Sequence, residues 1–158
     1  MLFDERKSAR IAQDLLKMKY RRGGRGPETV DCYGVLVCYY KQFGLALPDY
    51  FSRENWGDNE EIILSEYARF FRKLAAEEKP QTGDMIILRN MLGVEGHLGV
   101  YLGDRKFIHS FEKIGTKIDS LTNRLWKNKV YGFFRPKDTD TENVPQKHWG
   151  HKVGHGHK

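Results

Sequence analysis

The apolar residues of this chain change their spacing near Pro80, from the period of an α-helix to that of a β-strand. Upstream, apolar side chains recur at helical spacing over three segments, residues 4–19, 32–43 and 58–76. Downstream, four segments have the pattern of strands, residues 85–88, 97–102, 106–111 and 130–135. A hairpin signal, Gly103-Asp104, joins two of them. This order predicts an α+β fold, with helices packed on a small antiparallel sheet.

The composition changes again after Arg135, where apolar residues become rare and polar residues dominate. We therefore expect one domain over residues 1–135 and a flexible, histidine-rich tail over residues 136–158. Histidine tracts can bind metal ions, but a flexible polar tail is the simpler interpretation of this one. Its histidines are His148, His151, His155 and His157.

The net charge of +6 is concentrated near the N-terminus, where residues 17–25 contain basic side chains and no acid. Such a patch is either a solvated face or a surface for anionic partners, including acidic cell-wall polymers. Net charge alone does not support a nucleic-acid-binding role, and we expect no nucleic acid partner. The sequence shows neither a signal peptide nor an apolar stretch of membrane-spanning length, so we expect synthesis in the cytoplasm and no membrane span.

The chain has two cysteines, too few for a disulfide framework. Asp31 is a favourable N-cap, which places Cys32 at the first position of the second predicted helix. A helix N-terminus lowers the pKa of a thiol, and the Cys32 backbone N–H could form part of an oxyanion hole. Cys38 lies within an apolar run and has the character of a buried, inert cysteine.

His97 and His109 fall on consecutive predicted strands. Strand alternation puts His97 on the face opposite Leu98, and Gly99 should leave that face open beside the imidazole. His109 could then bond the far nitrogen of His97 and fix its tautomer, completing a cysteine nucleophile, base and orienter. A zinc site built from the same cysteine and histidines is an alternative, although the close paired spacing typical of such sites is absent.

Several motifs in fixed order together resemble the NlpC-type, papain-like cysteine peptidases that cut cell-wall peptides. They are Tyr20, Gly23-Gly24, Asp31-Cys32-x-Gly34, Gly83-Asp84, Gly96-His97-x-Gly99-x-Tyr101-x-Gly103 and Phe107-Ile108-His109. Tyr20 precedes Cys32 by 12 positions, and His97 precedes His109 by 12, as in that family's layout.

The resemblance implies that Cys32 is the nucleophile, His97 the base and His109 the orienter. It also implies that Tyr20 lines the site near the oxyanion, where we place Asp31 and Tyr33 as well. The implied reaction is hydrolysis of an amide bond in a peptidoglycan stem peptide, commonly between D-glutamate and a diamino acid. No metal or other cofactor is expected for that reaction.

Tyr33 departs from the serine that many family members have after the nucleophile. With the segment Gly44-Leu-Ala-Leu-Pro-Asp-Tyr50, it is similar to the branch found in phage tail-tip and gene-transfer proteins. That branch implies phage-like tail proteins as partners and a tail particle acting at the cell wall. Two alternatives stay open: a structural tail protein without turnover, and an interbacterial toxin amidase.

Overall fold

The computed structural model describes residues 3–48, 68–89 and 95–137, with the backbone alone for Glu95 and Gly96. Two helices come first, α1 (Glu5–Leu16) and α2 (Cys32–Lys41), with the short strands β1 (Lys19–Tyr20) and β2 (Thr29–Val30) between them. Six strands follow. They are β3 (Phe71–Lys73), β4 (Met85–Arg89), β5 (Glu95–Gly103), β6 (Lys106–Phe111), β7 (Gly115–Ser120) and β8 (Val130–Pro136).

The six later strands form one antiparallel sheet in the order β3-β8-β4-β5-β6-β7. β4 to β7 are a meander, and β8 returns to the free side of β4. β1 and β2 form a separate parallel pair in which Tyr20 is opposite Val30. The predicted α+β class, with helices on a small antiparallel sheet, is confirmed.

Strand alternation divides the buried side chains between the two faces of the sheet. On one face, α2 packs against β5 and β6 over a large core that includes Leu98, Val100 and Ile108. On the other face, a smaller cluster consists of Ile86, Leu88, Phe107 and Trp126. The predicted alternation of β5 is therefore confirmed, since Leu98 and Val100 face the helix and His97 does not.

Two predictions about local structure need correction. The first concerns the predicted helix over residues 58–76, of which residues 58–67 lie outside the described residues. In the described part, residues 68–70 form a turn and residues 71–73 form β3, so the prediction of a helix is wrong there. Phe71 is buried and pairs with Pro136. Pairing with β8 gives this segment backbone hydrogen-bond partners and buries the Phe71 side chain at the same time. The hairpin turn lies one residue later than predicted, with positive φ at Asp104 and Arg105.

The predicted end of the domain, residue 135, lies two residues before the last described residue, Lys137. β8 continues through Pro136, and the Lys137 amide donates to the Phe70 carbonyl over 2.9 Å. Residues 138–158, which hold most of the predicted tail and its four histidines, lie outside the described residues. In the part of the chain that the structure describes, no helix is long and apolar enough to cross a membrane.

Candidate active site

The start of α2 is held by Asp31, the N-cap that the sequence predicts. One carboxylate oxygen accepts from the Gly34 amide at 2.8 Å and from the Arg25 guanidinium at 2.9 Å. The other accepts from the Gly23 amide at 2.8 Å. This fully buried carboxylate therefore ties the loop before β2 to the first turn of the helix, which begins at Cys32.

Close backbone packing explains the glycine at position 34. A Cβ added there would lie 2.2 Å from the Gly24 carbonyl oxygen, which belongs to a backbone that cannot move aside cheaply. Any larger residue would push the first turn of α2 away from the loop. The motif Asp31-Cys32-x-Gly34 thus encodes both the cap and the contact that position Cys32.

Cys32 lies where the helix meets the sheet. Its side chain is buried, and the Ser110 hydroxyl on β6 donates to the Val30 carbonyl at 3.3 Å. That bond holds the backbone at Val30, two residues before Cys32, against Ser110, the residue that follows His109 on β6. Cys38 differs from its prediction, because it is half-buried and its thiol donates to the Arg25 carbonyl at 3.3 Å.

His97 and His109 are joined as the sequence predicts. His97 Nε2 and His109 Nδ1 are 2.6 Å apart, so the nitrogen of His97 farther from the backbone makes the bond. The His97 ring is partly exposed and His109 is completely buried. Two neighbouring strands therefore supply an outer imidazole and an inner one that orients it.

We expected Gly99 to leave the sheet face open beside His97, and this expectation is wrong. A Cβ at Gly99 would lie 2.7 Å from the Ile108 carbonyl oxygen and 3.3 Å from the His109 Cβ. The space is already filled by β6 and by His109 itself. The glycine instead lets β5 and β6 approach closely enough for the two imidazoles to bond.

Asp119 on β7 is a site residue that the sequence analysis missed. Its Oδ2 lies 2.7 Å from His109 Nε2, which extends the hydrogen-bonded series to His97–His109–Asp119. The carboxylate is mostly buried, and Lys117 Nζ lies 3.6 Å from its other oxygen. β7 has the sequence GTKIDS, with little apolar alternation, so no local signal marked it as a strand beside the histidines.

Burial and hydrogen bonding move the pKa values of this pair in definite directions. Desolvation lowers the pKa of His109 below its ordinary value, and this outweighs the opposing effect of the Asp119 carboxylate. The hydrogen bond from His109 is the main cause that lowers the pKa of Asp119. At neutral pH the inner imidazole is therefore neutral and the carboxylate is ionised.

Aromatic side chains enclose the two imidazoles. The Phe111 ring stacks on His109 at a centroid distance of 4.8 Å, and the Trp126 indole meets the same imidazole edge-on at 5.0 Å. Trp126 also stacks on His97 at 5.8 Å. The buried indole N–H has no hydrogen-bond partner among the described residues, although its proximity contributes to the lowered pKa of Asp119.

Tyr20 lines a groove that both residues of β1 border. Its strand partner Val30 immediately precedes Asp31, so strand pairing links β1 to the segment that leads into α2. The cavity has a volume of about 500 Å³. The side chains that line it include three lysines and no acid: Leu16, Lys17, Met18, Lys19, Tyr20, Lys113, Ile114, Gly115 and Thr116.

Tyr33, predicted near the substrate, lies in the core of the described structure. Its side chain is 1% exposed, its hydroxyl donates to the Pro48 carbonyl, and the Arg25 guanidinium lies 5.1 Å from the ring centroid. Its bulk therefore packs the segment after α2 against the helix start. A role for Tyr33 in substrate contact stays a prediction.

The zinc alternative requires a cluster of ligating side chains. In residues 3–48, 68–89 and 95–137, no group of three or more His, Cys, Asp or Glu side chains is arranged to hold a metal ion. The geometry described above is that of a hydrogen-bonded series, which moves and orients protons.

Comparison with curated proteins gives relatives over most of this chain. It is 30% identical over 114 residues to murein DD-endopeptidase MepS/murein LD-carboxypeptidase of Escherichia coli K12, covering 71% of this chain and 52% of that protein. It is 28% identical over 124 residues to the probable endopeptidase p60 of Listeria seeligeri, covering 78% and 21%. The chain thus spans about half the length of the first relative and a fifth of the second.

Solved structures share the fold at lower identity. An NLP/P60 family protein similar to a lipoprotein, from Staphylococcus aureus Mu50, superposes with a TM-score of 0.61 at 23% identity, covering 85% of this chain and 43% of that one. The NlpC/p60 domain of the peptidoglycan hydrolase SagA gives 0.57 at 17% identity, covering 84% and 98%.

A family model covers nearly the whole described body. The model of the NlpC/P60 family matches residues 17–135, a span that runs from the lysines beside Tyr20 to the last strand and includes Cys32, His97 and His109. The chain therefore belongs to the NlpC/P60 family.

Proposed function

We propose that this chain is a cysteine endopeptidase that hydrolyses an amide bond in a peptidoglycan stem peptide. The observation that carries the proposal is the hydrogen-bonded series His97–His109–Asp119, whose two histidines lie on strands packed against the helix that begins at Cys32. The names of the relatives support the substrate class, since they include a murein endopeptidase and a peptidoglycan hydrolase.

The proposed reaction has two halves, both using the same imidazole. His97 takes the proton of the Cys32 thiol, and the thiolate attacks the amide carbonyl carbon. The tetrahedral intermediate collapses when His97 donates that proton to the leaving amine, which breaks the C–N bond and leaves a thioester. Water then attacks the thioester with His97 as base, and the acid product leaves as the Cys32 thiol is restored.

The Cys32→Ala variant tests this mechanism directly. Purified muropeptides are incubated with the wild-type chain and the variant, and the products are identified by mass spectrometry. Loss of the nucleophile should lower turnover by at least about a thousand-fold. Cys38→Ser is the matched control, because it alters the other thiol, keeps a donor for the Arg25 carbonyl and should retain nearly full turnover. Equal product from Cys32→Ala and wild type would overturn the mechanism.

We further propose that the groove beside Tyr20 binds the carboxylates of the stem peptide. Lys17, Lys19 and Lys113 bring three cations to a groove that no acid lines, and the peptide bonds of that polymer are flanked by free carboxylates. The groove adjoins β1, whose partner strand leads into Cys32. We expect substrate bound in this groove to extend toward the start of α2.

Changing the three groove lysines to glutamine should raise KM about three- to tenfold with kcat almost unchanged, because the lost attraction acts on binding. The effect should shrink as salt is added. The matched control changes three exposed lysines that do not line the groove, Lys41, Lys79 and Lys106. An equal rise in KM for both triple variants would show that only net charge matters.

The finer identity of the substrate and the setting rest on the sequence resemblance. We propose cleavage between D-glutamate and the diamino acid, within a phage-like tail particle that acts at the cell wall. The masses of the muropeptide products decide the bond. Proteomic detection of the chain in purified tail particles supports the setting, and its absence from them would contradict it.

A further inference from the structure

Asp119 is the acid at the end of the hydrogen-bonded series, and the role that we assign to it rests on the proposed function. Asp119 faces His109 from β7, with Oδ2 at 2.7 Å from His109 Nε2. A charged side chain also contacts the carboxylate, since Lys117 Nζ lies 3.6 Å from Oδ1. Only 10% of the Asp119 side chain is exposed, so the bond to His109 is largely sheltered from water.

An ionised carboxylate can only accept hydrogen bonds, and this fixes the position of each proton in the series. His109 Nε2 must carry a proton in order to donate to Asp119. In a neutral imidazole the other nitrogen, Nδ1, then has a lone pair and accepts. His97 Nε2 must therefore be the donor across the 2.6 Å contact, and the basic nitrogen of neutral His97 is Nδ1.

The surroundings of His109 disfavour both a doubly protonated ring and the opposite tautomer. The imidazole is completely buried between Phe107, Phe111 and Trp126, so a second proton on the ring would be a poorly solvated charge. With the opposite tautomer, the Nε2 lone pair of His109 would face the carboxylate across 2.7 Å. The arrangement in which Asp119 accepts is thus the favourable one.

We propose that Asp119 is a positioning residue that sets the direction of every hydrogen bond in this series and so keeps Nδ1 of His97 as the base for Cys32. Asp119 acts through two imidazoles and has no contact with the reacting atoms. An amide at this position does not enforce that direction, because it has both an acceptor oxygen and a donor NH₂ group. When the NH₂ group donates to His109 Nε2, the series reverses, and His97 Nδ1 carries a proton when it should accept one.

Asp119→Asn is the decisive variant because it keeps the size of the side chain. We expect kcat on muropeptides to fall about a hundred- to ten-thousand-fold, with KM within about threefold; the upper figure is about the loss when the carboxylate that orients the histidine of a serine protease becomes an amide. Asp119→Glu, which retains the carboxylate, should recover part of the loss. Lys117→Gln is the control that removes the neighbouring cation, and it should keep wild-type kcat.

A second readout does not depend on turnover. Long-range ¹⁵N–¹H correlation spectra of histidine-labelled chain report which ring nitrogen is protonated, and a His97→Gln variant assigns the signals. We expect His97 protonated on Nε2 in wild type and in Lys117→Gln, and on Nδ1 in Asp119→Asn. An unchanged tautomer of His97 in Asp119→Asn would overturn the inference, as would wild-type kcat. Loss of the proposed function alone would appear differently, as an inactive wild type with the Nε2–H tautomer in place.

Discussion

Two buried carboxylates of this molecule, Asp84 and Asp119, have opposite kinds of partner. Asp84, just before β4, accepts two hydrogen bonds of 2.9 Å from the Arg135 guanidinium on β8 and one of 2.7 Å from the Gln81 amide. Asp119 accepts from the neutral imidazole of His109 at 2.7 Å. The first carboxylate is neutralised by a permanent cation, whereas the second keeps its charge and accepts from a neutral group whose protons can be rearranged.

The two pairs should therefore differ in role, the first in the stability of the fold and the second in the reaction. The hydrogen bond to Asp84 raises the pKa of Arg135 above its ordinary value, so the guanidinium keeps its charge near neutral pH. It fastens β8 to the loop that precedes β4. The His109–Asp119 pair lies on the sheet face that carries Phe107 and Trp126, and its proton arrangement decides the state of His97. We expect the first pair to determine whether the chain folds and the second whether it reacts.

The largest effect on stability should come from Arg135→Met. This change leaves the 2% exposed carboxylate of Asp84 without its cation, and removing one partner of a buried pair is strongly destabilising. Because the Gln81 amide still donates to Asp84, we expect a loss at the low end of the usual range, about 3 kcal/mol in the free energy of unfolding. Urea unfolding followed by circular dichroism measures it.

Two matched variants sharpen that result. Asp84→Asn should cost less than Arg135→Met, because the Arg135 side chain is 19% exposed and can reach water. Asp119→Asn should cost only about 1 kcal/mol, since an amide can still bond to His109. If Asp119→Asn destabilised the chain as much as Arg135→Met, the division between a folding pair and a reacting pair would be wrong.

A smaller effect should appear in the pH dependence of stability. The folded chain holds the pKa of His109 below its ordinary value of 6.5, so the unfolded chain binds the proton first as pH falls. The stabilising contribution of neutral His109 is therefore complete above pH 6.5 and is lost progressively below it, down to the folded pKa. The contribution of Asp119, whose pKa is lowered from 3.8, persists until the pH falls below that value.

His109→Gln isolates this contribution, because every other histidine is unchanged. Between pH 7 and pH 5, the free energy of unfolding of wild type should decline more steeply than that of His109→Gln, and the same urea titrations measure both. Identical slopes would mean that His109 takes up a proton as easily in the folded chain as in the unfolded one. The proton arrangement derived for the series would then not hold.

Local patterns predicted most of the fold. The helix cap at Asp31 and the strands β5 and β6 follow from short-range chemistry, namely a side chain that accepts from the first turn and apolar residues at alternate positions. The error at residues 71–73 has a physical cause. Phe70, Phe71 and Leu74 fit a helical stripe, yet the backbone of residues 71–73 pairs with β8, far along the chain.

The candidate site, like the fold, was predictable in part from the sequence. Cys32, His97 and His109 stand in a recognisable order, and the structure joins the two histidines as expected. Asp119 was not predictable, because a single acid in a polar segment has no distinguishing local context. Its place beside His109 depends on the register of β7 against β6, where Phe107 is opposite Asp119.

The sequence by itself determined the positions of α1, α2 and the strands β4, β5, β6 and β8, and which thiol and imidazoles are candidates for the reaction, since capping and side-chain alternation act over a few residues. The tertiary structure alone decided that Asp119 completes the series, that Tyr33 packs in the core and that Gly99 lets two strands close together. Each depends on the approach of segments distant in sequence. Such contacts are set by the packing of the whole sheet, and no local pattern records them.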